Sequence, residues 1–116
     1  MKVAILGASP KADRYANQAQ RFLLKEGHEV FPVSPTGIDI LDIPGFTEIP
    51  PGMDTVTLYV GPKNLAPVLD QLVEAAPKRV IFNPGTEDPK AMARLRHHGI
   101  KVEEACTLVL LRTGTF

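Results

Sequence analysis

Short apolar runs alternate in this chain with stretches of helical periodicity, and that alternation constrains the fold more than any other feature, because it is what a parallel sheet covered by helices requires. Val3-Ala4-Ile5-Leu6 is entered from Lys2 and stopped by Gly7; it is too short for a helix and uniformly apolar, as a strand buried on both faces is. From Tyr15, the apolar positions Tyr15, Ala19, Phe22 and Leu23 recur at helical spacing, and Gly27 after Lys25 and Glu26 supplies a left-handed stop. Glu29 to Val33 reads as the next strand, and Pro32, which forfeits a ladder hydrogen bond, belongs near a sheet edge or strand end.

Thr36 to Asp54 interrupts the rhythm. It is rich in Gly and Pro, carries Asp39, Asp42, Glu48 and Asp54, and has no Lys or Arg, so it repels phosphate. It reads as an irregular connection with one short strand at Ile38 to Ile43, since Pro44, Pro50 and Pro51 break anything longer. Thr55 to Val60 is β-branched and aromatic and ends at Gly61-Pro62, where proline suits the first turn of a helix. Within Lys63 to Ala76, Leu65, Val68, Leu69, Leu72, Val73 and Ala76 form an unbroken helical stripe. Lys78 to Phe82 is a further strand. Thr86 offers a capping hydroxyl ahead of Glu87, Asp88 and Pro89 for a helix to about His98, which Gly99 closes. Ile100 to Val102 suggests a last strand, and Cys106 to Leu111 fits a strand or a short helix equally.

The expected fold is α/β: a Rossmann-like three-layer sandwich, a mostly parallel sheet with helices on both faces. At 116 residues, residues 1 to 116 read as a single domain with no space for a separate catalytic one, the usual size being about 100 to 200 residues. Thirteen Lys plus Arg balance thirteen Asp plus Glu, which removes the basic excess of a nucleic-acid binder. No apolar run approaches the ~18 residues of a membrane span and Val3 to Leu6 is too short for a signal-peptide core, so a cytoplasmic protein is expected. The one cysteine, Cys106, makes no internal disulfide or multi-cysteine zinc site, and no metal is implied.

In such sheets ligands bind beyond the carboxyl ends of the strands. The first end reads Gly7-Ala8-Ser9-Pro10-Lys11-Ala12-Asp13-Arg14-Tyr15 and is no GxGxxG fingerprint. Gly7 permits a tight turn, Ala8 and Ser9 let a phosphate approach backbone amides, and Lys11 or Arg14 supplies charge. A pyrophosphate site is the inference, and an ordinary strand-to-helix turn with Arg14 solvated beside Asp13 is the lesser alternative. The second end, Val33-Ser34-Pro35, lacks the acid that reads the ribose of NAD; it suits the flat face of an adenine, in CoA or NADP, and equally a simple turn. Tyr59-Val60-Gly61 offers an apolar wall ahead of a helix start, although Tyr59 is also a reasonable core residue. At Asn83-Pro84-Gly85-Thr86, Gly85 allows close approach and Thr86 begins a helix whose amides can face a ligand; a capped turn is the alternative. Cys106 follows the last strand at the cleft rim, where a thiol can meet it, though a lone cysteine is more often packing. His28, His97 and His98 have no catalytic neighbours in sequence, and Lys78, Arg79, Lys90, Arg94, Arg96 and Lys101 read as a solvated surface.

Taken together these strand ends resemble a known family, the small stand-alone CoA-binding domain proteins, similar to the CoA-binding Rossmann domain of the succinyl-CoA synthetase α subunit. The resemblance runs nearly end to end and is carried by Gly7-Ala8-Ser9-Pro10 with Arg14, Tyr15 and Asn17, by Gly27-His28-Glu29-Val30, by Val33 with Pro35, by Asn83-Pro84-Gly85-Thr86-Glu87, and by Glu104-Ala105-Cys106-Thr107-Leu108-Val109 with Thr113-Gly114. It implies coenzyme A or an acyl-CoA as ligand: pyrophosphate over Gly7 to Pro10 near Arg14, Tyr15 and Asn17; adenine near Val33, Ser34, Pro35 and Tyr59 to Gly61; pantetheine toward Asn83, Pro84, Gly85 and Cys106. Ser34 stands where many relatives carry Asn. The synthetase's phosphohistidine domain has no counterpart here, so its ligase activity does not carry over. What remains is a non-catalytic sensor, carrier or partner module, working as a homo-oligomer or beside a partner enzyme subunit. An NADP-linked oxidoreductase, or its nucleotide-binding subunit, is the alternative from another class.

Overall fold

The computed structural model describes all of Met1 to Phe116. Five strands, β1 (Lys2–Leu6), β2 (Glu29–Val33), β3 (Thr55–Leu58), β4 (Arg79–Phe82) and β5 (Lys101–Glu104), form one sheet in the order β2-β1-β3-β4-β5. Every pairing is parallel. The central strands are apolar on both faces because both faces are covered: Val3, Ala4 and Ile5 have no exposed surface. Val3 and Ile5 pack under α1 (Tyr15–Lys25) and α5 (Thr107–Arg112) with Leu23, Val30 and Leu111. Ala4, Val56, Leu58, Val80 and Phe82 pack on the opposite side against α2 (Pro62–Leu65), α3 (Leu69–Ala75) and α4 (Pro89–His97), through Leu65, Leu72, Met92 and Leu95. The three-layer α/β expectation holds, and the segment after Cys106 is a helix.

Pro32 lies where its missing N–H predicts, on the edge strand β2. The connection that follows shields part of that edge: Phe46 donates to the Pro32 carbonyl (2.9 Å) and accepts from the Ser34 amide (3.0 Å), and its ring packs on Phe31. No strand forms at Ile38 to Ile43. Ile40 and Ile43 instead bond reciprocally across a tight turn whose central residues, Leu41 and Asp42, take positive φ of 54° and 62°. Ile40 is buried in the cluster that holds Ala16 and Leu23 of α1, and its carbonyl accepts from Gln20 Nε2 (3.0 Å), which keeps the segment against the helix.

The stripe from Lys63 to Ala76 is not one helix. Pro67 sits in its middle without an N–H to donate, and the chain tightens into a 3-10 turn at Ala66–Val68 between α2 and α3. The stripe faces the core in spite of the break, with Leu65 and Leu72 wholly buried. Strand boundaries shift by a residue or two: β3 stops at Leu58, β4 begins at Arg79, and β5 runs from Lys101 to Glu104.

Two readings of individual side chains change with the structure. Thr86 does not cap α4; Asp88 does, accepting from the Ala91 amide at 3.2 Å, because the chain makes one more turn first and the Thr86 hydroxyl donates to the Asn83 carbonyl (2.8 Å) within it. Arg79 is not solvated. Its side chain, 13% exposed, donates to Thr55 Oγ1 (3.0 Å) and the Phe116 carbonyl (2.9 Å), lies over the Phe116 ring and faces Glu103 at 3.7 Å. Parallel register sets Arg79 opposite Thr55 on β3, and the chain end folds back to meet it. Phe116 also meets His28 edge-on, where burial and then the amino terminus hold the imidazole pKa below its ordinary value.

Candidate functional site

The strand order reverses between β1 and β3: the chain leaves β1 for β2 on one side, then returns to place β3 on the other. The loops therefore part at the carboxyl ends of these two strands, at Gly7 and Tyr59. Gly7 has φ +92°, and a Cβ there would stand 2.8 Å from Val60 Cγ1 and 2.9 Å from the Tyr59 carbonyl oxygen. Only glycine lets the first loop pass so close to the third strand end. The Tyr59 amide donates to the Leu6 carbonyl at 2.8 Å and fixes that approach.

Three clefts meet there, and Tyr59 lines all three. The middle one, about 390 Å³, is bounded by Gly7, Ser9, Lys11, Arg14, Tyr15 and Ala16 on one side and by Tyr59, Gly61, Pro84, Gly85 and Thr86 on the other. Lys11 and Arg14 make no ion pair and are its charged residues. The amides of Tyr15, Ala16 and Asn17, the first turn of α1, have no acceptor in the chain, and Arg14 at the N-cap supplies none. Two side-chain cations and the positive end of an eleven-residue helix thus converge on one opening.

Toward β2 lies a cleft of about 550 Å³ lined by Gly7, Val33, Ser34, Pro35, Tyr59 and Val60, together with Leu6, Thr47, Asn64, Pro67, Val68 and Gln71. No charged side chain borders it. On the other flank, a chamber of about 240 Å³ is formed by Tyr15, Tyr59, Asn83, Pro84, Cys106 and Leu108. Its floor is a buried polar network. Asn83 Nδ2 donates to Thr57 Oγ1 (2.6 Å) and the Leu58 carbonyl (2.8 Å), Asn83 Oδ1 accepts from the Thr107 amide (2.8 Å), and the Thr57 and Thr107 hydroxyls share a hydrogen bond of 2.8 Å. Asn83 has no N–H left for a ligand and its oxygen already holds the Thr107 amide; it ties β3, β4 and the start of α5 together and so positions Cys106. The Tyr59 hydroxyl is buried with no hydrogen-bond partner. Burial pushes its pKa up to about 12 against the smaller opposing pull of the nearby Thr107 and Thr57 hydroxyls.

Most of the residues singled out from sequence border these clefts; Ala8, Pro10 and Asn17 do not. The Ala8 amide, like that of Gly7, donates to the Val33 carbonyl (3.1 and 3.0 Å), so the phosphate-ready amides lie further on, in the first turn of α1. Asn17, with 1% of its surface exposed, stands behind the loop, donating to the Ser9 carbonyl (2.9 Å) and accepting from Arg21 Nε (2.9 Å). Tyr15 is 70% exposed and walls two clefts instead of packing as part of the helix stripe. Gly85 reaches the middle cleft, but its amide is held by Glu87 Oε1 at 2.8 Å. Thr47, Asn64 and Gln71 come from a loop and two helices with no motif of their own and are brought in by the sheet, and Leu108, which follows Cys106 in a quoted run, joins the lining because that run is a helix.

The chain matches the family model described as CoA binding domain over residues 1–112. It belongs to that family. Among solved structures the CoA-binding domain is similar to an uncharacterized protein at 43% identity, covering 99% of this chain and 97% of that one with a TM-score of 0.94. A hypothetical protein from Pyrococcus horikoshii OT3 matches at 28% identity over 96% of this chain and 81% of that one, TM-score 0.88. The dinucleotide-forming acetyl-coenzyme A synthetase 1 of Ca. Korarchaeum cryptofilum, in complex with phosphate and ADP, matches at 21% identity with a TM-score of 0.77, over 90% of this chain but 25% of the enzyme. At that identity the likeness is one of fold. No helix of the CoA-binding domain is long and apolar enough to cross a membrane.

Proposed function

We propose that this domain binds coenzyme A or an acyl-CoA across the carboxyl edge of its sheet and works as a non-catalytic binding module, a sensor or the partner of an enzyme carried on another chain. One observation carries the reading: the three clefts meeting at Tyr59 run from uncharged, through doubly cationic, to uncharged and mainly apolar. Adenosine, pyrophosphate and pantetheine follow the same order. The nucleoside would lie against Val33, Ser34, Pro35 and Val60, the pyrophosphate beside Ser9, Lys11 and Arg14 at the free amides of α1, and the pantetheine arm along Tyr15 and Pro84 toward Cys106.

NADP fits the same clefts less well. The nucleoside cleft has no Lys or Arg to read a ribose phosphate, so that group faces solvent in either ligand. The third chamber has no free amide or hydroxyl donor for the oxygen of a nicotinamide carboxamide, because both Asn83 N–H groups are spent on Thr57 and Leu58 and the Tyr59 hydroxyl is walled in. Thermal unfolding with CoA, acetyl-CoA, NAD, NADP and ATP tests the reading; ligand at a hundred times its dissociation constant stabilises by about 2.7 kcal/mol. CoA and acetyl-CoA are expected to raise the melting temperature. A shift with NADP and none with CoA refutes it.

A further inference from the structure

The chamber beyond Pro84 is larger than a thiol needs and offers no charge. Its walls are Tyr15, Tyr59, Asn83, Pro84, Cys106 and Leu108, with no Lys, Arg, His, Asp or Glu among them. Asn83 is 2% exposed with both N–H groups used and its oxygen on the Thr107 amide, and the Tyr59 hydroxyl is sealed from solvent, so a guest meets mainly carbon and the Cys106 sulfur. An apolar cavity of about 150 Å³ accepts a benzene ring. By the same proportion the chamber's 240 Å³ or so holds roughly nine or ten non-hydrogen atoms. The thioethylamine end of CoA takes roughly four of these, leaving room for a carbonyl and about three further carbons.

Resting on the CoA reading above, we infer that this chamber receives the acyl group of an acyl-CoA, and that it selects short, uncharged acyl groups of up to about four carbons. Each methylene buried in the chamber strengthens binding by up to about fourfold. A terminal carboxylate, as in a dicarboxylic acyl group, enters without a counter-charge, since the cations Lys11 and Arg14 belong to the neighbouring cleft. A long acyl chain outgrows the space and gains nothing further.

Calorimetric titration of the intact protein with CoA, acetyl-CoA, butyryl-CoA, succinyl-CoA and octanoyl-CoA tests this directly. Butyryl-CoA is expected to bind at least fivefold more tightly than CoA, succinyl-CoA at least tenfold more weakly than butyryl-CoA, and octanoyl-CoA no more tightly than butyryl-CoA. Cys106→Leu adds bulk to the chamber wall and is expected to move the optimum from butyryl to acetyl. Leu108→Ala, which enlarges the chamber, is expected to move it toward octanoyl; neither shift follows from a merely structural role. Equal affinity across the series, free CoA included, overturns the acyl inference and leaves CoA binding standing. So does succinyl-CoA binding as tightly as butyryl-CoA, or an affinity that climbs through octanoyl-CoA. Failure of every compound to bind overturns the CoA reading and this inference together.

Discussion

Replacing Gly7 by alanine probes the point on which the whole site is built. The new Cβ would stand 2.8 Å from Val60 Cγ1, 2.9 Å from the Tyr59 carbonyl oxygen and 3.0 Å from its carbon, and two of those three atoms are backbone of a residue whose amide is bonded to the Leu6 carbonyl. The residue must also hold φ +92°, which costs an L-residue about 1–2 kcal/mol. Forcing a methyl group into packed structure adds about 1–3 kcal/mol. The expected loss is therefore about 2–5 kcal/mol, and at roughly 4 °C per kcal/mol for a domain of this size the melting temperature falls by about 8–20 °C. Gly52→Ala is the matched control: Gly52 has φ +82° but nothing within 4 Å of a Cβ, so it carries the strain without the overlap. Its expected loss is about 1–2 kcal/mol. Differential scanning fluorimetry of both variants and the parent separates the two effects. If Gly7→Ala melts within about 2 °C of Gly52→Ala, the close approach of the first loop to Tyr59 is wrong.

Four further outcomes follow from particular contacts. Arg14→Glu is expected to weaken CoA at least tenfold, more at low salt than at high, because it reverses one of two cations in the middle cleft; an unchanged dissociation constant in 20 mM salt counts against the pyrophosphate assignment. Asn83→Ala leaves the Thr107 amide and the Leu58 carbonyl without their partner and should cost about 2–4 kcal/mol in urea unfolding, while a loss below 1 kcal/mol would mean the network under the chamber is not structural. Tyr59→Phe removes a buried hydroxyl that has no partner and should be neutral or stabilising by about 1 kcal/mol; a loss of that size instead would reveal a hydrogen bond there. The same hydroxyl sets an alkaline limit: with its folded pKa at about 12 against 10.0 for an ordinary tyrosine, the unfolded chain sheds the proton first, so stability is full below pH 10 and falls by about 2–3 kcal/mol as pH climbs toward 12. Urea unfolding between pH 8 and 12 should show that slope in the parent and a shallower one in Tyr59→Phe.

The sequence alone determined what is local. The central strands follow from runs such as Val3 to Leu6, apolar throughout and closed by glycine as a strand covered on both faces is, whereas the equally apolar Leu108 to Leu111 is a helix. Pro32 marked an edge because the ring removes one donor, and that holds in any fold. The Gly7 turn, the cations at Lys11 and Arg14 and the uncharged second strand end were legible for the same reason: each needs only its own residues. Where the reading was too simple, a partner distant in sequence was deciding. Pro67 is the exception, because the break it makes is local: a proline inside a helical stripe has no N–H to donate, and that signal stands in the sequence beside the apolar periodicity. Arg79 looks like any surface arginine until register sets it opposite Thr55 and the chain end closes over it. Ser9 and Ala8 are equally small, yet the Ala8 amide is spent on Val33, a strand away. The convergence of three clefts on Tyr59 is the largest of these tertiary effects, because a parallel sheet gathers its strand ends at one edge whatever their separation along the chain, and only the strand order says which ends become neighbours.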